Sequence, residues 1–306
     1  MQKNQIGNSD LYVSELGLGC MSLGTDEVKA KAIIDRALDL GINYLDTADL
    51  YDQTQNESIV GKALKGKRQD IILATKVGNH LNEDGTWFWD PSKRYIKEQV
   101  KSSLLRLQTE YIDLYQLHGG TIEDPIDETI EAFEELKQEG LIRYYGISSI
   151  RPNVIREYVN RASLISIMMQ YSLFDRRPEE EMLDLLNKND ISILTRGSLA
   201  KGLLSDQAEQ KLRNKATDGY LTYSVDELTH TIEQLKTKDL INQSLLTTAL
   251  RYVLKHPAVA SVVAGASSLE QLETNVAALE QGYVITDTLY KNLQSTTKAD
   301  TYVKHR

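Results

Sequence analysis

The chain has 306 residues, with 35 Lys+Arg against 44 Asp+Glu and a formal net charge of −9. An acidic average repels phosphate backbones and anionic bilayers, so a broad nucleic-acid or membrane-binding face is excluded and small molecules are the expected partners. With 41% hydrophobic and 26% charged residues, the composition is that of a globular protein with a large core, and no apolar run reaches the roughly 18 residues of a membrane span.

The N-terminal residues Met1 to Gln5 carry no apolar leader, and the sole cysteine, Cys20, excludes an internal disulfide. A reducing, cytoplasmic location is therefore expected. The segment around Ile6-Gly7-Asn8 predicts a small β-hairpin ahead of the first long element. Short runs rich in Ile, Leu and Val then predict strands at Leu16 to Gly19, Ile42 to Leu45, Ile71 to Ala74, Ile112 to Tyr115, Leu141 to Ile147, Leu164 to Met169, Ile191 to Leu194 and Val259 to Val263.

Amphipathic stretches lie between these runs. The clearest has Ile126, Ile130, Phe133 and Leu136 at helical spacing, with Asp124 as N-cap, Pro125 in the first turn and Gly140 as terminator. A last helix is predicted with Leu269, Leu272, Val276 and Leu279 on one face. This alternation predicts an α/β fold, a single (β/α)₈ TIM barrel domain over 1–306, with long loops at the C-terminal face of the strands. An open doubly wound sheet satisfies the same alternation. The long connections follow Lys76, through Trp87-Phe88-Trp89, and Arg196, past Tyr220 and Tyr223 toward Asp239.

Polar residues collect where strands end. Asp46 closes the second strand, Tyr51 follows in its loop, Lys76 closes the third strand and His118 the fourth. Singly, each has an ordinary role: a loop cap, a rim aromatic, an ion-pair partner, a hydrogen-bonding group. Together they form a set, because a lysine leaving a buried strand needs a carboxylate beside it. Such a set suits proton donation to a carbonyl. Tyrosine, with an ordinary pKa of about 10, is a poor acid near neutrality, but an adjacent ammonium favours the phenolate. With no metal-ligand spacing and no reactive thiol pattern, hydride from a nicotinamide is the natural complement. Lys76 as a Schiff-base nucleophile of a lyase is an alternative use of the same rim. Gly17-Leu18-Gly19-Cys20-Met21-Ser22 lacks the third glycine of a Rossmann fingerprint, so a separate dinucleotide domain is not expected.

The Asp46-Thr47-Ala48-Asp49-Leu50-Tyr51 string, with Lys76 and His118 in register on the next strands, resembles the aldo-keto reductase family. The resemblance extends from Leu16-Gly17-Leu18-Gly19 through Arg143 to Ser149, Gln170, and Gly265-Ala266 to Asn275. It implies a (β/α)₈ barrel that binds NADPH in an extended pose, NADH not being excluded, and reduces aldehydes or ketones to alcohols. It also implies Tyr51 as general acid, Lys76 and Asp46 as its tuning partners, and His118 as the group that orients the carbonyl. A cofactor-binding subunit without turnover is the other family precedent.

For the cofactor, the resemblance implies that Ser148, Ser149 and Gln170 hold the nicotinamide carboxamide, with Ser149 standing where many members have Asn. Arg196 stands where many members stack an aromatic on the nicotinamide ring. Gly197, Ser198, Leu199, Lys201 and Gly202 follow the pyrophosphate, with Cys20, Met21 and Gly265 along the same edge. Ser267, Ser268, Gln271 and Asn275 grip the adenosine phosphate, in a turn that lacks the Lys or Arg many members carry. Ser267…Glu270 and Ser268…Gln271 also fit helix capping boxes.

Trp87 and Trp89 are expected to line the substrate pocket together with Tyr51 and His118, favouring apolar or aromatic carbonyl compounds; a self-packed aromatic loop is the alternative. Cys20 reads as a small buried hydrophobe, and His80, His230, His256 and His305 as solvated. A polyanionic cofactor on an acidic protein requires a short local groove, for which Arg196 and Lys201 supply the charge. The oligomeric state is left open.

Overall fold

A computed structural model describes residues 1–82, 84–237, 243–280 and 282–306. Twelve strands are found among them: β1 Lys3–Gln5, β2 Tyr12–Ser14, β3 Leu16–Gly19, β4 Tyr44–Asp46, β5 Ile72–Val77, β6 Asn79–Leu81, β7 Trp87–Trp89, β8 Ile112–Leu117, β9 Ile142–Ser148, β10 Ser166–Gln170, β11 Ser192–Arg196 and β12 Val259–Gly265. Eight of them, β3, β4, β5, β8, β9, β10, β11 and β12, close into a barrel in chain order, and every neighbouring pair is parallel. The open-sheet alternative is thereby excluded. Among the described residues, eleven α-helices accompany the strands, and no helix is long and apolar enough to cross a membrane.

Side chains alternate across a strand, so each barrel strand has one row facing the helices and one facing the interior. The outer row, with Leu45, Leu73, Val77, Tyr115, Leu117, Ile147, Ile167 and Ile193, packs into the large helix-side core. Burying each Leu or Ile there contributes about 1.5–3 kcal/mol. The inner row begins apolar. Tyr44, Ile72, Ala74, Leu114, Met168, Leu194 and Val263 fill the lower barrel, and Ile6, Leu11 and Val13 of the β1–β2 hairpin close it from below. Packing is tight enough that a Cβ on Gly17 would lie 2.5 Å from the Tyr44 ring.

One step further along the same inner rows the residues turn polar: Asp46 follows Tyr44, Lys76 follows Ala74, Gln116 follows Leu114, Gln170 follows Met168 and Arg196 follows Leu194. The mouth of the barrel is thus lined from the ends of its strands.

Several local expectations are corrected. The helix at Ile126–Gln138 forms with Pro125 at its N-cap, while the Asp124 carboxylate accepts from Thr121 N, Thr121 Oγ1 and Trp89 Nε1 instead. Gly140, at φ +74°, ends that segment as expected. In the last barrel helix, Leu269–Glu280, the side chains of Leu272, Val276 and Leu279 are buried, but Leu269 is 43% exposed at the first turn. The connection after Lys76 contains a two-stranded antiparallel ribbon of β6 and β7. The connection after Arg196 carries helices Ala208–Lys215 and Val225–Leu235, with Tyr220 and Tyr223 paired in a turn between them; Asp239 lies outside the described residues. His80 is not simply solvated, since its ring stacks 4.6 Å from Phe88 and 4.3 Å from Tyr95 and its Nδ1 lies 3.1 Å from Asp90.

Candidate active site

Lys76 is fully buried, and its three ammonium donors are all used. Nζ donates to Asp46 Oδ2 at 2.6 Å, to the Thr47 carbonyl at 2.8 Å and to Tyr51 Oη at 3.2 Å. Burial alone would lower its pKa, but the charge of Asp46 and the bonds to Asp46 and Tyr51 outweigh it and hold the ammonium above its ordinary range. Asp46 is fixed in turn by Gln116, whose Nε2 donates to Oδ1 at 3.2 Å. A Schiff-base nucleophile needs a neutral amine with a free lone pair, and this lysine offers neither.

Tyr51 reaches the site from the β4 loop. Three consecutive left-handed residues, Asp52, Gln53 and Thr54, follow it, a conformation that costs on the order of 1 kcal/mol or more per residue and needs its surroundings to impose it. Buried Asn56 imposes it here: it accepts from Thr47 Oγ1 at 2.7 Å and donates to the Cys20 carbonyl and the Asp52 carboxylate. The Tyr51 ring meets His118 edge-on, with centroids 5.8 Å apart and planes at 82°.

His118 Nδ1 is buried and has no hydrogen-bond partner among the described residues. Burial, then the charges of Lys76 and Arg196, lower the imidazole from its ordinary 6.5 to about 3, so the ring is neutral and has one N–H to donate. The sign of the linkage follows. Between about pH 6.5 and 3 the unfolded imidazole binds a proton that the folded one refuses, so this contribution to stability is full above about 6.5 and is lost as pH falls toward 3. Denaturant midpoints of wild type and His118→Gln measured across this window should therefore diverge, with the wild type falling more steeply on acidification.

These side chains open into a cavity of about 1100 Å³. Of the residues expected from the sequence, Met21, Asp46, Tyr51, Trp87, Trp89, His118, Ser148, Ser149, Gln170, Arg196, Gly197, Lys201 and Gly265 all line it. Cys20 does not: it is fully buried, with Sγ toward the Leu18 carbonyl, and burial and the Asp46 charge push its thiol pKa far up. Ser198 turns its hydroxyl to Thr195, and Leu199 and Gly202 lie off the lining. Ser267, Ser268, Gln271 and Asn275 also stand outside the cavity. Gln271 Oε1 accepts from Ser267 N and Oγ, and Ser268 Oγ accepts from Gln271 N at 3.2 Å, so only the serine half of the Ser268…Gln271 capping box is formed, the glutamine side chain turning to Ser267 instead, and the Ser267…Glu270 box is not formed among the described residues.

A nicotinamide dinucleotide fits the groove that remains. Backbone at Gly197, Ala200, Lys201 and Gly202 is left-handed, and the N–H groups of Ser198 and Leu199 have no partner among the described residues, an arrangement that favours an anion. Arg196 donates to Gln170 Oε1 at 3.0 Å and has no carboxylate partner among the described residues. Glycine is required at 265 beside the groove, since a Cβ there would collide with Ser22, lying 2.5 Å from its Oγ.

The cavity also holds residues that sequence reasoning missed, among them Thr121, Ile150, Arg151 and Leu221. Gln116 had a usable signal, being two residues before His118 on one inner row. Arg151 had none, because its place depends on two strands meeting in space.

The aldo/keto reductase family model matches residues 15–297, and the chain belongs to that family. It is an oxidoreductase with the family's nicotinamide-dependent carbonyl chemistry on a small-molecule substrate. The "uncharacterized oxidoreductase YqkF" of Bacillus subtilis (strain 168) is 59% identical over 314 residues, covering 100% of both chains. The NADH-specific methylglyoxal reductase of Escherichia coli (strain K12) is 31% identical, covering 91% of this chain and 94% of its own. Among solved structures, the holo form of aldo-keto reductase AKR11C1 from Bacillus halodurans superposes with a TM-score of 0.94 at 59% identity, covering 100% of this chain and 99% of that one.

Proposed function

We propose that the protein reduces aldehydes or ketones to alcohols with NADPH, and that Tyr51 delivers the proton. The observation that carries this reading is the Lys76 ammonium held between Asp46, at 2.6 Å, and Tyr51 Oη, at 3.2 Å. When bound, the nicotinamide supplies the hydride that adds to the carbonyl carbon.

Tyr51 Oη gives its proton to the carbonyl oxygen, and the Lys76 ammonium stabilises the phenolate left behind. Asp46, tied to Gln116, keeps that ammonium charged and aimed. His118, neutral, donates its N–H to the same oxygen and so fixes the carbonyl and stabilises charge as it develops there. Ser148, Ser149 and Gln170 would hold the carboxamide of the bound nicotinamide, with the Arg196 guanidinium beside its ring. Gly197, Leu199 and Lys201 would hold the pyrophosphate, while Ser267, Ser268 and Gln271 at the start of their helix, with Asn275 further along it, would receive the adenosine phosphate.

Fluorescence titration with NADPH and NADH, followed by an aldehyde and ketone screen, tests the reading. Saturable binding that favours NADPH, with turnover of aldehydes, is the expected result. Tight binding without any turnover across the panel overturns it in favour of a sensor. With few cations at the site, affinity should weaken only modestly as salt rises.

A further inference from the structure

The cavity is more cationic than the protein around it. Among the described residues, Arg151, Arg196 and Lys201 line it against a single carboxylate, Asp46, which Lys76 already pairs, in a chain whose net charge is −9. Arg196 and Lys201 stand on the β11 side, where the proposed reading puts the cofactor. Arg151 stands elsewhere and that reading leaves it unused.

Strands β8 and β9 are adjacent and parallel, with Leu117 opposite Ile147, so the residues just past them face each other across a strand spacing of about 4.8 Å. Past β8 come His118, Gly119 and Gly120; past β9 come Ser149, Ile150 and Arg151. Arg151 spans the two ends: its Nη1 donates to the Gly120 carbonyl and its backbone N–H to Ser149 Oγ at 3.2 Å. The Nε and Nη2 donors have no partner among the described residues, and no carboxylate there pairs with this guanidinium. A half-buried guanidinium fixed at one corner to the carbonyl of Gly120, two residues past the carbonyl-orienting histidine, is arranged to hold an anion that arrives with the substrate. Trp87, Trp89, Ile150 and Leu221 supply apolar wall to the same cavity.

We propose that Arg151 is a specificity residue that binds a carboxylate, and that the preferred substrates are carbonyl acids with an alkyl or aryl body. The proposal rests on the reductase reading above and narrows its apolar-carbonyl expectation. The test compares para-carboxybenzaldehyde and succinic semialdehyde with their methyl esters, in wild type, Arg151→Gln and Arg151→Lys.

In wild type, kcat/KM for at least one of the acids should exceed that of its ester by about 10- to 100-fold, the worth of a charge-assisted hydrogen bond. The difference should lie in KM. In R151Q the ratio should fall to about unity, and R151K should retain a preference for the acid, which a loss of folding would not produce. Equal kcat/KM for acid and ester in wild type, or a preference that survives in R151Q, overturns the proposal. So does a loss of NADPH affinity in R151Q matching the loss of the ratio, which would assign the guanidinium to the cofactor. Turnover of the esters with no preference for the acids leaves the reductase reading standing, whereas no turnover of acids or esters overturns both.

Discussion

Replacing Tyr51 with phenylalanine should lower kcat by about 10²- to 10⁴-fold, the usual contribution of a positioned acid, while NADPH still binds. The substitution removes one oxygen and keeps the ring against His118, so the cavity wall and the edge-on contact at 5.8 Å survive. What is lost is the one hydroxyl that Lys76 Nζ reaches among the described residues. Steady-state kinetics with a titrated cofactor separate the two quantities. A fall in kcat with an unchanged dissociation constant is the expected outcome, and unchanged turnover would remove Tyr51 from the chemistry.

Lys76→Met should be the most costly single change to stability. It leaves the Asp46 carboxylate buried without its ammonium, a loss of roughly 3–5 kcal/mol for a broken buried pair. The double variant Asp46→Asn with Lys76→Met removes both charges, so its denaturant midpoint should recover well beyond the sum of the single effects. Activity should not recover with it, because neither variant restores a cation beside Tyr51. A double variant no more stable than the additive expectation would mean that the two groups do not act as a pair.

The strands were legible because buried parallel strands read as short Ile, Leu and Val runs, and all eight runs proved to be barrel strands. The apolar runs stop before the strands do, for one physical reason. Asp46, Lys76, Gln116, Ser148, Gln170 and Arg196 are all strand residues beyond their apolar runs, and each is polar because it faces the barrel mouth. Hydropathy stops at the point where the inner row changes from core to site. That change is what marks the site.

Other features depended on partners distant in the chain. Asp124 has the form of a helix cap, but Trp89, 35 positions earlier, competes for its carboxylate at 3.0 Å and prevails. The β6–β7 ribbon carries its aromatics on exposed edges, with Trp87 56% exposed, so alternation of burial never announced it as sheet. Arg151 takes its meaning only from Gly120 on the neighbouring strand end. By contrast, Asp46, Tyr51, Lys76 and His118 were legible because each stands at a strand end or in the loop beyond one, and the closed barrel brings adjacent strand ends together.

The most direct test of Tyr51 as the proton donor is a single turnover with NADPH already bound, in wild type and Y51F, following dihydronicotinamide and alcohol in the same sample after an aldehyde is added. Wild type should consume the bound dihydronicotinamide with matching formation of alcohol, and Y51F should do so at least about 100-fold more slowly, with the cofactor still bound. Equal rates in the two proteins would contradict the assignment.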